Sequence, residues 1–305
     1  MVASSVPLTV VVSGSTGFIG SALADALTAE GHIVRRLVRE RSRLRDGDIA
    51  WDPARGMLDG RALEGADAVV HLAGEPIGQR WTSTVRRSIR ESRVRGTSLI
   101  ATTIASVSRP PRAFVSGSAM GIYGSRGDEV LDEASAPGND FLAEVAKEWE
   151  AAADQASAGG VRIVKLRTGL VLGSTGGALA RLLLPFRLGG GGRVGSGRQW
   201  VSWIALVDTV RAIQHAIVTE SVTGPINLSA PNPVTNAELT ATLARVLRRP
   251  AIIPVPAAAL RLLFGEMADA TLLASQRMQP RRLLESGFQF RYPALEPALR
   301  FELAR

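Results

Sequence analysis

The segment Gly14-Ser15-Thr16-Gly17-Phe18-Ile19-Gly20 constrains this chain more than any other. It follows the β-branched run Thr9-Val10-Val11-Val12 and precedes apolar residues at helical spacing, Ile19, Leu23, Ala26 and Leu27. This pattern predicts a buried parallel strand that turns sharply into a helix over Phe18 to Glu30, stopped by a left-handed Gly31. The three glycines have separate tasks at such a turn. Gly14 permits the tight turn, Gly17 lets the backbone approach a pyrophosphate, and Gly20 lets the helix pack on the sheet. Free amides at the helix N-terminus then face the anion, so Ser15, Thr16, Phe18 and Ile19 join the glycines as candidate cofactor-binding residues. A turn of the same shape without a ligand is the alternative.

The rest of the chain alternates strand and helix. Ile33 to Val38, Ala66 to Ala73, Arg112 to Ser116 and Val161 to Leu166 read as strands. Ser83 to Val107, a long basic segment, and Phe141 to Ala158 read as helices. The expected fold is α/β: a Rossmann doubly wound parallel sheet over residues 1–173, with a small, mainly helical lobe over 174–305 for substrate. Residues 205–230 are expected to pack back on the Rossmann core. Leu188 to Gly197 is too rich in glycine for a regular element and reads as a mobile loop or hairpin. Thr235 and Glu238 have the spacing of a capping box at the start of a helix running to Leu247.

The end of the second strand selects the cofactor. NAD enzymes place an acid there, roughly 20 residues past the glycines, to bond the ribose 2′-hydroxyl. Here the strand runs into Val38-Arg39-Glu40-Arg41-Ser42-Arg43. Arg39 stands where a guanidinium clamps a 2′-phosphate, which favours NADP over NAD, and Glu40 argues the other way.

Composition excludes several classes. The chain has 305 residues and no cysteine, which rules out disulfides, thiolate metal sites and a cysteine nucleophile, and agrees with a reducing, cytoplasmic setting. The three histidines lie far apart, so no metal site is expected. No apolar run approaches the roughly 20 residues that span a bilayer, and no membrane partner is expected. The net charge of +8 rests on arginines spread through every segment, which reads as a solvated basic surface without a nucleic-acid partner.

Beyond these features the chain resembles the extended or atypical short-chain dehydrogenase/reductase superfamily, and within it the sugar-epimerase-like "epimerase family" group. The residues that carry the resemblance are Trp51-Asp52-Pro53, His71-Leu72-Ala73-Gly74-Glu75-Pro76-Ile77, Ser92-Arg93-Val94, Ser116 to Gly124, Arg167 to Gly173 and Gly197 to Ile204. Ser275 to Pro280 and Gly287-Phe288 resemble the small C-terminal domain of that group. The resemblance implies that Leu72, Ala73, Gly74 and Arg93 belong to the cofactor site. It also implies that Ser118 either bonds a substrate oxygen or is a strand-end turn serine, and that Tyr123 is a pocket tyrosine or a half-buried aromatic. A homodimer through the basic helix is a further implication.

The superfamily's YxxxK pair is incomplete. Lys147 is present, either against the nicotinamide ribose or as a solvated helix lysine, but Ala143 occupies the tyrosine position. The proton donor is therefore open between Tyr123, Ser118, water, Glu144 and Glu150. His71 reads as structural. Arg167, Arg198, Gln199 and Trp203 are expected to line the cleft, which would suit a small anionic or polyhydroxylated substrate. The expected function is an NADP-dependent oxidoreductase or epimerase-like enzyme, with a catalytically inactive NADP-binding regulatory or scaffold protein as the alternative.

Overall fold

Strands buried on both faces, with side chains pointing alternately to one face and the other, build two cores on one sheet. The computed structural model describes residues 6–39 and 44–304. Glu40, Arg41, Ser42 and Arg43, which bear on the choice of cofactor, lie outside the described residues. The sheet contains β1 (Thr9–Ser13), β2 (Ile33–Val38), β3 (Ile49–Asp52), β4 (Met57–Leu58), β5 (Ala68–His71), β6 (Ala113–Ala119), β7 (Arg162–Thr168) and β8 (Gly224–Leu228). Their spatial order is β8-β7-β6-β5-β1-β2-β3-β4. Every neighbouring pair is parallel except β3 and β4, an antiparallel edge hairpin. The chain reverses direction across the sheet between β1 and β5, the switch point at which dinucleotide ligands bind in doubly wound folds.

Helices cover both faces. The helices are α1 (Phe18–Ala29), α2 (Ser83–Ser106), α3 (Phe141–Asp154), α4 (Gly177–Arg187), α5 (Leu206–Val218), α6 (Asn236–Leu247), α7 (Ala257–Phe264), α8 (Arg281–Glu285) and α9 (Leu295–Leu303). Val10 and Val12 pack with Leu23, Leu27, Ile213 and Ile217 of α1 and α5. Val11, one residue out of phase, packs on the opposite face with Ile100 and Ile104 of α2 and Ala153 of α3. Each such fully buried aliphatic side chain contributes about 2 kcal/mol.

The C-terminal lobe has its own core, in which Leu179, Leu183 and Phe186 of α4 meet Trp203, Leu239, Leu243 and Leu299. The capping box of α6 is formed: Thr235 N donates to Glu238 Oε2 at 2.7 Å, and Glu238 N to Thr235 Oγ1 at 3.3 Å. The glycine-rich segment, expected to be a mobile loop or hairpin, is packed backbone on backbone. Val255 N donates to the Arg193 carbonyl at 2.9 Å, and Gly195 N to that of Val255 at 2.9 Å. A Cβ on Gly192 would lie 1.5 Å from the Ile253 carbonyl oxygen, so glycine serves close approach there.

Three elements escape the sequence pattern. β3 is four residues long, α4 contains Pro185, and β8 opens with Gly224-Pro225. Pro225 is tolerated because β8 is an edge strand. The predicted helix to Ala158 ends as α-helix at Asp154 and tightens into a 3-10 turn over Gln155–Gly159.

Candidate functional site

The glycine turn is built against the loop that follows β5. Gly14 has φ +70°, and a Cβ there would sit 2.8 Å from Ala73 N. Gly17 N donates to the Gly14 carbonyl at 2.9 Å, and Gly17 caps α1 without a side chain, so the first amides of the helix are left open. Ser15 Oγ is buried and has no hydrogen-bond partner among the described residues. Behind the turn, the Phe18 ring lies under Gly173, Gly176 and Gly177, whose added Cβ atoms would come within 2.6–2.9 Å of it.

Leu72, Ala73 and Gly74 are thus brought to the turn, and Arg93 is brought to Gly74. The Arg93 guanidinium carbon lies 3.4 Å from where a Gly74 Cβ would be. Its Nη1 donates to the carbonyls of Glu75 at 3.0 Å and Ile89 at 3.1 Å, and the group stacks over Trp149 at 5.1 Å. Burial pushes its pKa down to about 10, and among the described residues no carboxylate forms an ion pair with it. A half-buried guanidinium without an ion-pair partner among the described residues, an unpartnered serine hydroxyl and open helix amides are the kinds of group that bind an anion. Arg39 follows β2 directly, in an exposed position and without an ion-pair partner among the described residues.

Ser118 and Tyr123 are brought together, but within the protein interior. Ser118 Oγ donates to Glu150 Oε1 at 2.7 Å, and Tyr123 OH to Asn227 Oδ1 at 2.7 Å. Arg167 joins them: Nε and Nη2 grip Glu150 at 2.9 and 3.0 Å, and Nη1 donates to Tyr123 OH at 3.0 Å. Burial opposes the Arg167 charge, but the Glu150 bonds outweigh it and raise the pKa. Burial also pushes the Tyr123 phenol up, against the pull of Arg167. Lys147 is set apart on the outer part of α3, where its Nζ pairs with Glu144 Oε1 at 2.6 Å.

Comparison with known proteins gives this architecture relatives along its whole length. The sequence profile of the NAD dependent epimerase/dehydratase family matches residues 10–228, and a domain family of unknown function matches 255–302. The epimerase family protein Mb2239 of Mycobacterium bovis is 42% identical over 297 residues, covering 97% of this chain and 98% of the relative.

The chain belongs to the NAD dependent epimerase/dehydratase family.

Two solved members of similar structure define the neighbourhood. The human epimerase family protein SDR39U1 (isoform 2), a structure with NADPH, superposes with TM-score 0.88 at 37% identity, covering 97% of this chain and 99% of that one. The nucleoside-diphosphate sugar epimerase of Corynebacterium glutamicum has TM-score 0.81 at 39% identity, covering 98% of this chain and 58% of that one.

Within this family member, Ala143, at the YxxxK tyrosine position, is fully buried. Trp203, expected in the cleft, is core, with Nε1 bonded to the Asn232 carbonyl at 3.0 Å. Gln199 is buried too, and its amide ties the carbonyls of Val194 and Leu272 at 3.0 and 3.2 Å. Arg198 is exposed. Sequence reasoning missed Glu133 and Asn227, which complete the Tyr123 network. The Glu133 side chain accepts from Asn227 N at 2.8 Å, and burial pushes its pKa up. Their positions in a loop and an edge strand carry no sequence signal for a contact so distant in the chain.

His71 is part of the frame. Ser13 Oγ lies 2.5 Å from its Nδ1, while Nε2 is buried without a partner among the described residues. Burial pushes the imidazole down to about 3, and the nearby Arg93 cation adds to this. The unfolded chain therefore binds one more proton than the folded one between pH 6.5 and about 3. Stability should be full above pH 6.5 and fall with acidification, by up to about 1.4 kcal/mol per pH unit from this group. Denaturant midpoints measured against pH should show this slope in the wild type and a shallower one in His71→Gln.

Proposed function

We propose that this protein is an NADP-dependent oxidoreductase or epimerase-like enzyme acting on a small anionic or polyhydroxylated substrate. Arg93 carries the reading: a half-buried guanidinium held by carbonyls, without an ion-paired carboxylate among the described residues, beside the loop that abuts the glycine turn. That chemistry suits a cofactor phosphate. Exposed Arg39 at the end of β2, and the NADPH in the human relative's structure, support NADP over NAD.

When bound, the nicotinamide supplies a carbon that gives or takes hydride. The chain's own residues hold and orient. In this reading Arg93 and the α1 amides bind the phosphates, Arg39 binds the 2′-phosphate, and Lys147 leaves Glu144 to meet the ribose. Ser118 and Tyr123 are positioning residues that fix the end of β6 through Glu150 and Arg167. With Ala143 in place of the usual phenol, another group in the cleft delivers the substrate proton. Homodimerisation through α2 and a cytoplasmic location belong to the same reading, the latter resting on the cysteine-free composition.

A second reading, an NADP-binding regulatory protein without catalysis, is favoured by one observation. Ala143 is buried, and the nearby hydroxyl protons of Ser118 and Tyr123 are already committed.

Titration with NADPH and NADH, followed by quenching of tryptophan fluorescence, tests the cofactor. Wild type should prefer NADPH, and Arg39→Ala should bring NADPH to the level of NADH, a loss of about 10- to 100-fold for a charged bidentate contact. Arg93→Met should weaken both cofactors alike. Equal binding of the two by wild type would reject NADP selectivity. Binding of neither would reject the enzyme reading. Turnover of NADPH with a carbonyl or sugar-nucleotide panel separates enzyme from regulator.

A further inference from the structure

One face of the C-terminal lobe has a composition that the cofactor site does not explain. Leu184 at the end of α4 and Leu188 just beyond it are 67% and 77% exposed. Ile252 and Ile253 are 81% and 55% exposed, and Leu262 and Leu263 on α7 are 77% and 62% exposed. The backbone brings these residues to one region. Ile253 N donates to the Gly191 carbonyl at 3.3 Å, and Gly190 N to that of Pro185 at 2.9 Å. Arg181, one turn before Leu184, donates to the Gly78 carbonyl at 3.0 Å, and Arg80 to that of Leu262 at 2.8 Å.

The segments that carry these aliphatic residues are rich in arginine, and the acids beyond α7, Glu266 and Asp269, are paired with Arg86 and Arg261. Residues 174–207 and 239–265 contain no Asp or Glu and eight Arg. Among the described residues, exposed Arg187, Arg193, Arg248 and Arg249 have no ion-pair partner. Clustered exposed aliphatics are uncommon on a monomer's surface and mark a contact site. A second copy docked face to face would set arginines against arginines, because a two-fold interface pairs a patch with itself. The occupant must therefore be anionic.

We propose that this face docks on an anionic lipid bilayer, with Leu188, Ile252 and Ile253 entering the headgroup region and the arginines pairing with lipid phosphates. Aliphatic tips on loops ringed by cations suit a soft anionic surface, since insertion gains apolar burial while attraction to the headgroups adds to it. This is surface contact: no helix among the described residues is long and apolar enough to cross a membrane. It revises the expectation of no membrane partner. It does not depend on the cofactor reading, because none of these residues belongs to the glycine turn or its neighbours.

Co-sedimentation of the full chain with vesicles tests it. The protein should pellet with equimolar phosphatidylglycerol and phosphatidylcholine, stay in solution with phosphatidylcholine alone, and be partly released by high salt. Leu188→Asp/Ile252→Asp/Ile253→Asp should lose binding by about tenfold or more, and Arg248→Ser/Arg249→Ser should lose it several-fold. Both variants should keep the wild-type unfolding midpoint and NADPH affinity. No binding to the anionic vesicles would overturn the proposal, as would full binding by the folded aspartate variant. A wild-type dimer dissolved by the aspartate variant would assign the face to a second copy instead. Binding to polyglutamate but not to vesicles would assign it to an acidic protein; either result overturns the lipid proposal.

Discussion

Replacing Gly20 with alanine should cost the protein both its cofactor affinity and a substantial part of its stability. The added methyl would lie 2.2 Å from the Gly14 carbonyl oxygen and 2.7 Å from its carbon. Both are backbone atoms, and Gly14 cannot retreat, because it is itself wedged against Ala73 N and the Leu72 carbonyl carbon. Helix α1 would have to lift away from β1, disturbing the contacts of Leu23 and Leu27 with the sheet. Overpacking of this kind costs about 1–3 kcal/mol, and the rigid neighbours place Gly20→Ala at the upper end. Gly17→Ala is the internal control for stability. Its Cβ would meet only the Gly14 oxygen at 3.2 Å, in an extended N-cap conformation open to any residue. About 1 kcal/mol is expected there from the poorer cap. Thermal unfolding of the two variants should therefore separate clearly, while NADPH titration should weaken in both, because Gly17 is the glycine that lets the backbone approach the pyrophosphate. Wild-type cofactor affinity in Gly20→Ala would show that the turn is architecture alone.

The second large effect is expected at Arg167. Arg167→Met removes the only cation paired with Glu150 among the described residues and leaves a carboxylate buried with Ser118 as its remaining partner. Breaking a buried pair from one side costs about 3–5 kcal/mol, because the surviving charge has lost its compensation. The double variant Glu150→Gln/Arg167→Met should recover much of that loss, since neither charge is then stranded. Denaturant unfolding of wild type, the two single variants and the double variant gives the coupling directly. An Arg167→Met protein within 1 kcal/mol of wild type, as an order of magnitude, would mean that the pair is solvated and that the network does not hold the end of β6.

The two effects lie at opposite limits of what the sequence discloses. The glycine turn was legible because its signal is local: a strand, a spaced triplet and an amphipathic helix occupy some twenty consecutive positions. The long helix from Ser83 and the capping box at Thr235 were legible for the same reason. Arg167 was visible as a residue but not in its role. Its partners Glu150, Tyr123 and Glu133 come from three separate segments, and only the folded sheet brings them together. The same holds for Trp203, whose place in the core depends on packing by α4 and α6. Arg93 lies between these cases. Its motif marked it, yet its lack of an ion-pair partner among the described residues, the property that gives it chemical meaning, appears only once its neighbours are placed.

The position of β8 has a consequence for how this protein can be divided. Residues 224–228 return to the sheet and pair with β7 after the chain has built part of the C-terminal lobe. The lobe segment ahead of α5 is thus a detour out of the Rossmann layer, with both of its ends anchored in that layer. A fragment stopped after Gly173 would leave β7 as a bare edge with Val164 and Leu166 uncovered, a template for self-association. Exchange of halves between family members should succeed at a seam in the span 229–254, between the two matched regions, where the sheet is already closed.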